Sequence, residues 1–136
     1  MKIRILSVCM FLFFACQEQE DYIQNVMVDI KLDLTLPEFS DLQTVGNCVF
    51  ITGGVKGIIV YRQGFDSYKT YDRNCSFEPS LSCARIDSVN SSIAICKCCN
   101  SMFLLEQNGD NIDGPALLPL KKYDNSLLGD VLHIYN

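Results

Sequence analysis

The stretch ICKCCNSMF, residues 95–103, packs Cys96, Cys98 and Cys99 into four positions and follows them with Ser101 and Phe103. A metal site, a disulfide knot and a thiol switch all concentrate sulfur in this way. Cys96 and Cys99 form a C-x2-C pair, the spacing that lets two thiolates from one tight turn face a single ion. Side chains alternate along an extended chain, so Cys96 and Cys98 cannot both join Cys99 at one site while the stretch stays extended. At least one of them has a separate job.

Upstream, NCSFEPSLSC (74–83) supplies Cys75 and Cys83, a second pair from another loop. Four thiolates suit tetrahedral zinc and an iron–sulfur cluster equally. The pattern C-x7-C-x12-C-x2-C matches no standard zinc-finger spacing. Disulfide bonding is the competing account, because exported chains meet an oxidising compartment. With Cys48 there are six cysteines besides Cys9 and Cys16, an even number. From spacing alone, metal and disulfide stand level.

The flanking sequence is β-rich. VMVDIKLDL (26–34) alternates Val26, Val28, Ile30, Leu32 and Leu34 against Asp29, Lys31 and Asp33, a strand with one wet face. LPEFSDL (36–42) reads as a loop or a single helical turn. Further strands are expected at 48–52, 57–63, 67–72, 84–89, 93–98, 102–107, 117–124 and 131–136. GGVKG, QGFDS, NSS, NGDN and NSLLGD between them carry turn residues. No segment holds a long 3.6-residue period. The expectation is one all-β domain over 26–136, an antiparallel β-sandwich or partly open barrel.

The N-terminus reads as a targeting segment. Lys2 and Arg4 precede an apolar run from Ile5 to Ala15, too short for a bilayer span of about 20 residues. Ala15 before Cys16 resembles the cleavage box of bacterial lipoproteins. That resemblance implies a signal peptide at 1–15, lipidation of Cys16 and a tether over 16–25, with the protein held at the membrane in the cell envelope, periplasmic or outer surface. Without Lys2 and Arg4, the eleven basic residues become nine, against sixteen acidic ones. An acidic surface repels phosphate backbones, so nucleic acid is not an expected partner.

CKCCNSMF (96–103) resembles the second cluster box of Rieske domains, Cys-Pro-Cys-His-Gly-Ser-x-Phe, with Lys97, Cys99 and Asn100 at the substituted positions. DGPALLPLKKY (113–123) resembles the Gly-Pro-Ala…Pro-Leu…Tyr segment that follows that box. GIIVYRQGFDSYKTYDRNC (57–75) resembles the strand pair leading into the first box, Cys-x-His. The resemblance covers roughly residues 53–135. It implies a Rieske-like antiparallel β-sandwich with two metal-binding loops, a [2Fe–2S] cluster and a one-electron carrier serving a redox protein partner at the membrane.

The departures bear on the chemistry. A Rieske centre uses two cysteines on one iron and two histidines on the other. Cys96 matches a cysteine ligand, but Cys99 stands where a histidine belongs, and Asp72 and Asn74 fall at the Cys and His positions of the first box. His133, the only histidine, lies in the last expected strand and reads as a packing residue. Cys98 matches the family's non-ligand cysteine, whose usual disulfide partner would fall near Phe77. Two allocations follow. In the favoured one, Cys75, Cys83, Cys96 and Cys99 hold a [2Fe–2S] cluster, or zinc as the non-redox alternative, and Cys98 is a shielded thiol. In the other, Cys83 and Cys98 form a disulfide and the metal set falls short.

Asp72 and Arg73 read as an exposed turn pair, and Gly114–Pro115 as a turn that also suits a shield over the site. TGGVKG (52–57) reads as a hairpin turn, since no helix and no Lys-Ser/Thr follow it. No nucleophile–base pair or carboxylate dyad stands at a telling spacing. The chain carries no independent hydrolytic site and is at most a redox subunit of an oxidoreductase; its alternative role is a binding module stapled by zinc or disulfides.

Overall fold

A computed structural model describes residues 22–136. The expected signal peptide, Cys16 and the start of the tether lie outside the described residues. Ten strands follow in chain order: β1 (Asp29–Asp33), β2 (Cys48–Ile51), β3 (Ile58–Gly64), β4 (Ser67–Asp72), β5 (Ser88–Asn90), β6 (Ile93–Ile95), β7 (Met102–Leu104), β8 (Asp110–Asp113), β9 (Lys122–Leu128) and β10 (Val131–Tyr135). Six of them form a sheet in the order β1-β10-β9-β4-β3-β2, and the other four form a second sheet, β5-β6-β7-β8. Every strand pair is antiparallel. Among the described residues no helix is long and apolar enough to cross a membrane.

The large sheet packs on both faces, and β3 shows why. Ile58 and Val60 point into a cluster with Leu32, Leu42, Leu132 and Ile134. Ile59 and Tyr61 point the other way, against Phe103, Leu105, Ala94 and Ile86 from the small sheet and its loops. Alternation therefore buries the whole first half of the strand, from Ile58 to Tyr61. The 3-10 turn Pro37–Gln43, expected at LPEFSDL, plugs the first cluster with Phe39 and Leu42. β1 keeps Asp29, Lys31 and Asp33 in solvent and Leu32 in the core, as its alternation dictates.

Four expectations shift. Residues 84–86 are not part of β5; Ala84 and Ile86 instead bond back to Cys75 and Arg73, joined by an isolated bridge between Asn74 and Arg85. β9 begins at Lys122 and runs on through Asn125 to Leu128, so the chain turns at Gly129–Asp130. β8 follows the turn at Asn108–Gly109, whose φ angles of 59° and 73° suit Asn and Gly. Its residues are mostly exposed, which left no apolar alternation to read. Finally, part of the expected tether is docked. Ile23 is buried, and Lys121 Nζ donates to Gln24 O and Asn25 Oδ1, both at 2.6 Å.

Candidate metal centre

Beyond β6 the chain closes a tight knuckle. Asn100 N–H donates to Cys96 O at 2.7 Å, and Cys96 N–H donates to Ser101 O at 3.0 Å. Asn100 occupies the left-handed region, φ 61°, which Asn tolerates better than most residues. The reversal ends the extended conformation after Cys96, and that is how Cys96 and Cys99 come to face one point. Gly114, φ 90°, backs directly onto the knuckle. A Cβ there would lie 2.5 Å from Ser101 Cα and 2.9 Å from Asn100 O. Ala116 N–H in turn donates to Ser101 Oγ at 3.1 Å. Gly114–Pro115 is thus a cover over the second loop as well as a turn. Gly114→Ala is expected to destabilise the fold by at least about 1–3 kcal/mol from backbone conformation alone. It should also loosen the knuckle, which metal titration of the variant would read as weakened affinity.

Cys75 reaches the same point from the first loop. Its N–H donates to Ala84 O at 3.0 Å, and Ile86 N–H donates to Arg73 O, so residues 73–75 and 84–86 run side by side. The Sγ atoms of Cys75, Cys96 and Cys99 all lie within 4.8 Å of one another, with Cys75 and Cys99 3.6 Å apart. Cys75 and Cys96 are fully buried and Cys99 half-buried. Burial, with the neighbouring thiols, pushes the Cys75 thiol well above its ordinary pKa. At Cys99 burial acts in the same direction. Hydrogen bonds from Ser101, Cys75 and Cys96 outweigh it and lower the pKa. Ser101 Oγ lies 3.1 Å from Cys99 Sγ and accepts the Ala116 N–H. A bound cation would displace the Cys75 proton, so metal affinity rises with pH.

Cys83 does not join them. It is bonded to Cys98, with a Cα–Cα distance of 5.5 Å, and both residues are exposed. This corrects the favoured four-cysteine allocation in favour of the other one. The reason is the course of residues 76–83. Lys56 Nζ donates to the carbonyls of Pro79, Leu81 and Ala84, pinning that loop so that Cys83 ends at the surface beside Cys98. Nothing in the spacing of the cysteines announces that clamp.

Asp72 is a second correction. It is wholly buried rather than an exposed turn residue. Its carboxylate accepts from Val55 N–H at 2.6 Å, Lys56 N–H at 3.2 Å, Asn74 N–H at 2.7 Å and Tyr123 Oη at 2.7 Å. Gly54 must be glycine here, because a Cβ would strike that carboxylate and the Tyr123 hydroxyl. One acid therefore ties the β2–β3 turn to the start of the Cys75 loop. Burial and the Asp72 carboxylate together raise the Tyr123 phenol far above its ordinary pKa. Asn74 is buried and lines a cleft with Lys56 and Ser80, and its Oδ1 has no partner among the described residues. His133 stands in β10 with Nε2 2.7 Å from Asp29 Oδ1. Cys48 is a half-buried thiol at the start of β2.

The donor set decides what the centre can hold. A [2Fe–2S] cluster takes four protein ligands, two on each iron. Three thiols converge here, and the remaining candidates are committed: Cys83 to Cys98, Asp72 to its four donors. The cluster does not fit this arrangement. A single tetrahedral ion does. Zinc–thiolate bonds of about 2.3 Å set sulfurs about 3.8 Å apart, close to the 3.6 Å between Cys75 and Cys99.

No protein-family model matches this chain, and no curated protein matches it. Solved structures do. One is a complex of reduced oxygenase and oxidized ferredoxin in carbazole 1,9a-dioxygenase, with a TM-score of 0.53 at 12% identity, over 82% of this chain and 94% of that one. Another is a complex of the same dioxygenase's ferredoxin with an oxygenase variant, with a TM-score of 0.51 at 13% identity, over 84% of this chain and 29% of that one. The fold is Rieske-like. Two antiparallel sheets with a cysteine-bearing loop at the end of β4 and another after β6 make this Rieske-like domain a sandwich, as expected, and its cysteine group is one that can bind metal. At these identities the likeness extends to fold alone.

Proposed function

We propose that the chain is a metal-binding module of the cell envelope, a Rieske-like domain that holds one thiophilic ion, zinc foremost, on Cys75, Cys96 and Cys99. The observation that carries this is the convergence of three sulfurs within 4.8 Å, with no fourth among the described residues. Zinc there would supply rigidity and no redox chemistry, tying the first loop to the second. Ser101 Oγ, 3.1 Å from Cys99 Sγ, is an oxygen close enough to offer a fourth position. The tether and the lipobox-like Cys16 support a lipid anchor, which would hold the module at the membrane surface.

A second reading keeps the electron carrier. It is favoured by the fold shared with components of an oxygenase–ferredoxin complex, which would imply a redox protein partner. It requires the Cys83–Cys98 bond to open, so that Cys83 can supply a fourth thiolate. An all-cysteine cluster would then be a low-potential one, nearer about −400 mV than the range of His-ligated Rieske centres.

Metal analysis and a visible spectrum on protein purified without oxygen or chelator distinguish the two. One zinc per chain and no colour supports the three-thiolate ion. Two irons with two labile sulfides, and visible absorption, would overturn it in favour of the carrier. No metal with the three thiols still titratable would overturn both.

A further inference from the structure

The cleft beside the β2–β3 turn collects positive charge in an otherwise acidic chain. It has a volume of about 430 Å³ and is lined by Gly53–Gly57 together with Phe50, Arg73 and Arg85. Lys56, Arg73 and Arg85 are three of the nine basic residues described, and no carboxylate lines the cleft. The sequence as a whole has sixteen acidic residues against eleven basic ones. Such a concentration needs either internal counter-charges or an external anion.

The internal counter-charges are few, and none lines the cleft. Asp72, beneath the turn, is buried and holds four donors of its own. Asp87, the carboxylate that Arg73 feels, accepts the Lys97 N–H. Lys56 directs its protons at three carbonyls, so it contributes field but no free donor. Arg73 lies 4.0 Å over the Phe50 ring and gives Nε and Nη2 to Ile86 O, which leaves Nη1. Arg85 is exposed, and among the described residues its guanidinium has neither an ion-pair nor a hydrogen-bond partner.

We propose that this cleft is an oxyanion site, in which Arg85 and the Nη1 of Arg73 take a phosphate group over the glycine turn. A guanidinium fork matches the oxygens of phosphate geometrically. The cleft exceeds the size of a bare phosphate, so its occupant is a phosphate-bearing molecule, either a small soluble ester or a lipid headgroup. The turn is not a phosphate loop, because its Val55 and Lys56 amides are committed to Asp72; the arginines are the readers. The inference does not depend on whether the three thiols hold metal.

The test is an amide NMR titration of the full chain carrying Cys16→Ser, first with inorganic phosphate. Saturable shifts at Gly53–Gly57, Arg73 and Arg85 are expected, fading with added salt. Arg85→Gln should weaken binding about tenfold or more with an unchanged melting temperature, since its guanidinium makes no hydrogen bond or ion pair among the described residues. Co-sedimentation with phosphatidylglycerol vesicles and titration with glycerol 3-phosphate then separate the sources: loss of vesicle binding in Arg85→Gln marks the headgroup, and ester binding alone marks a soluble ligand. The absence of saturable shifts up to about 10 mM phosphate, or equal binding by Arg85→Gln, overturns the proposal.

Discussion

Cys96→Ser is expected to empty the metal centre and to lower the melting temperature by more than about 10 °C. Cys96 is fully buried, and its sulfur faces those of Cys75 and Cys99. A serine oxygen is shorter and harder than a thiolate, and two sulfurs hold a thiophilic ion far more weakly than three. A ligand at a thousand times its dissociation constant contributes about 4 kcal/mol to stability. In a domain of this size that corresponds to roughly 10–20 °C. Added zinc should raise the melting temperature of the parent protein and leave that of Cys96→Ser unmoved. Cys98→Ser separates the two roles of the cysteines. It removes the cross-link to Cys83, worth about 3 kcal/mol for a loop of this length, yet should keep one metal per chain. If Cys98→Ser lost the metal while Cys96→Ser retained it, the three-thiol assignment would be wrong.

The other large effect belongs to Asp72. Asp72→Ala should cost at least about 2 kcal/mol in a denaturant titration, because it strands Asn74 N–H and the Tyr123 hydroxyl in the interior and takes the acceptor from the half-buried Val55 and Lys56 N–H groups. Each buried donor left without an acceptor costs about 1–3 kcal/mol. Tyr123→Phe supplies the scale. It removes one donor and leaves the carboxylate with three, so its cost should be less than half as large. Because the same carboxylate also positions Asn74, one residue before Cys75, Asp72→Ala should weaken metal binding although Asp72 touches no metal. A variant that unfolded with the parent midpoint would remove Asp72 from this role.

The strands that proved easiest to place from sequence are those with one wet face or an unbroken apolar run. β1 alternates Asp29, Lys31 and Asp33 against Leu32 and its neighbours, and β3 carries Ile58 to Tyr61. β8 escaped because an edge strand of exposed Asp110, Ile112 and Asp113 has no buried face to impose a period. The C-x2-C knuckle was legible for a local reason too: Cys96, Asn100 and Ser101 lie close enough in sequence to close one turn among themselves.

The partners of Cys83 and Asp72 were not legible, and the reason is common to both. Each is settled by groups far away in the chain. Lys56 steers the 76–83 loop from 23 to 28 residues upstream of the carbonyls it binds, and Tyr123 meets Asp72 across 51 residues. The arginine cleft has the same origin, since Phe50, Arg73 and Arg85 come together only when β2, the first cysteine loop and residues 84–86 pack. The amino-acid sequence by itself determined an all-β sandwich and a knuckle bearing Cys96 and Cys99, because side-chain alternation and tight turns are local, and its cysteine boxes carried the resemblance to Rieske domains. The tertiary structure alone decided which three thiols converge, which two bond and where the buried carboxylate sits, because contacts across a packed core depend on how distant segments are brought together.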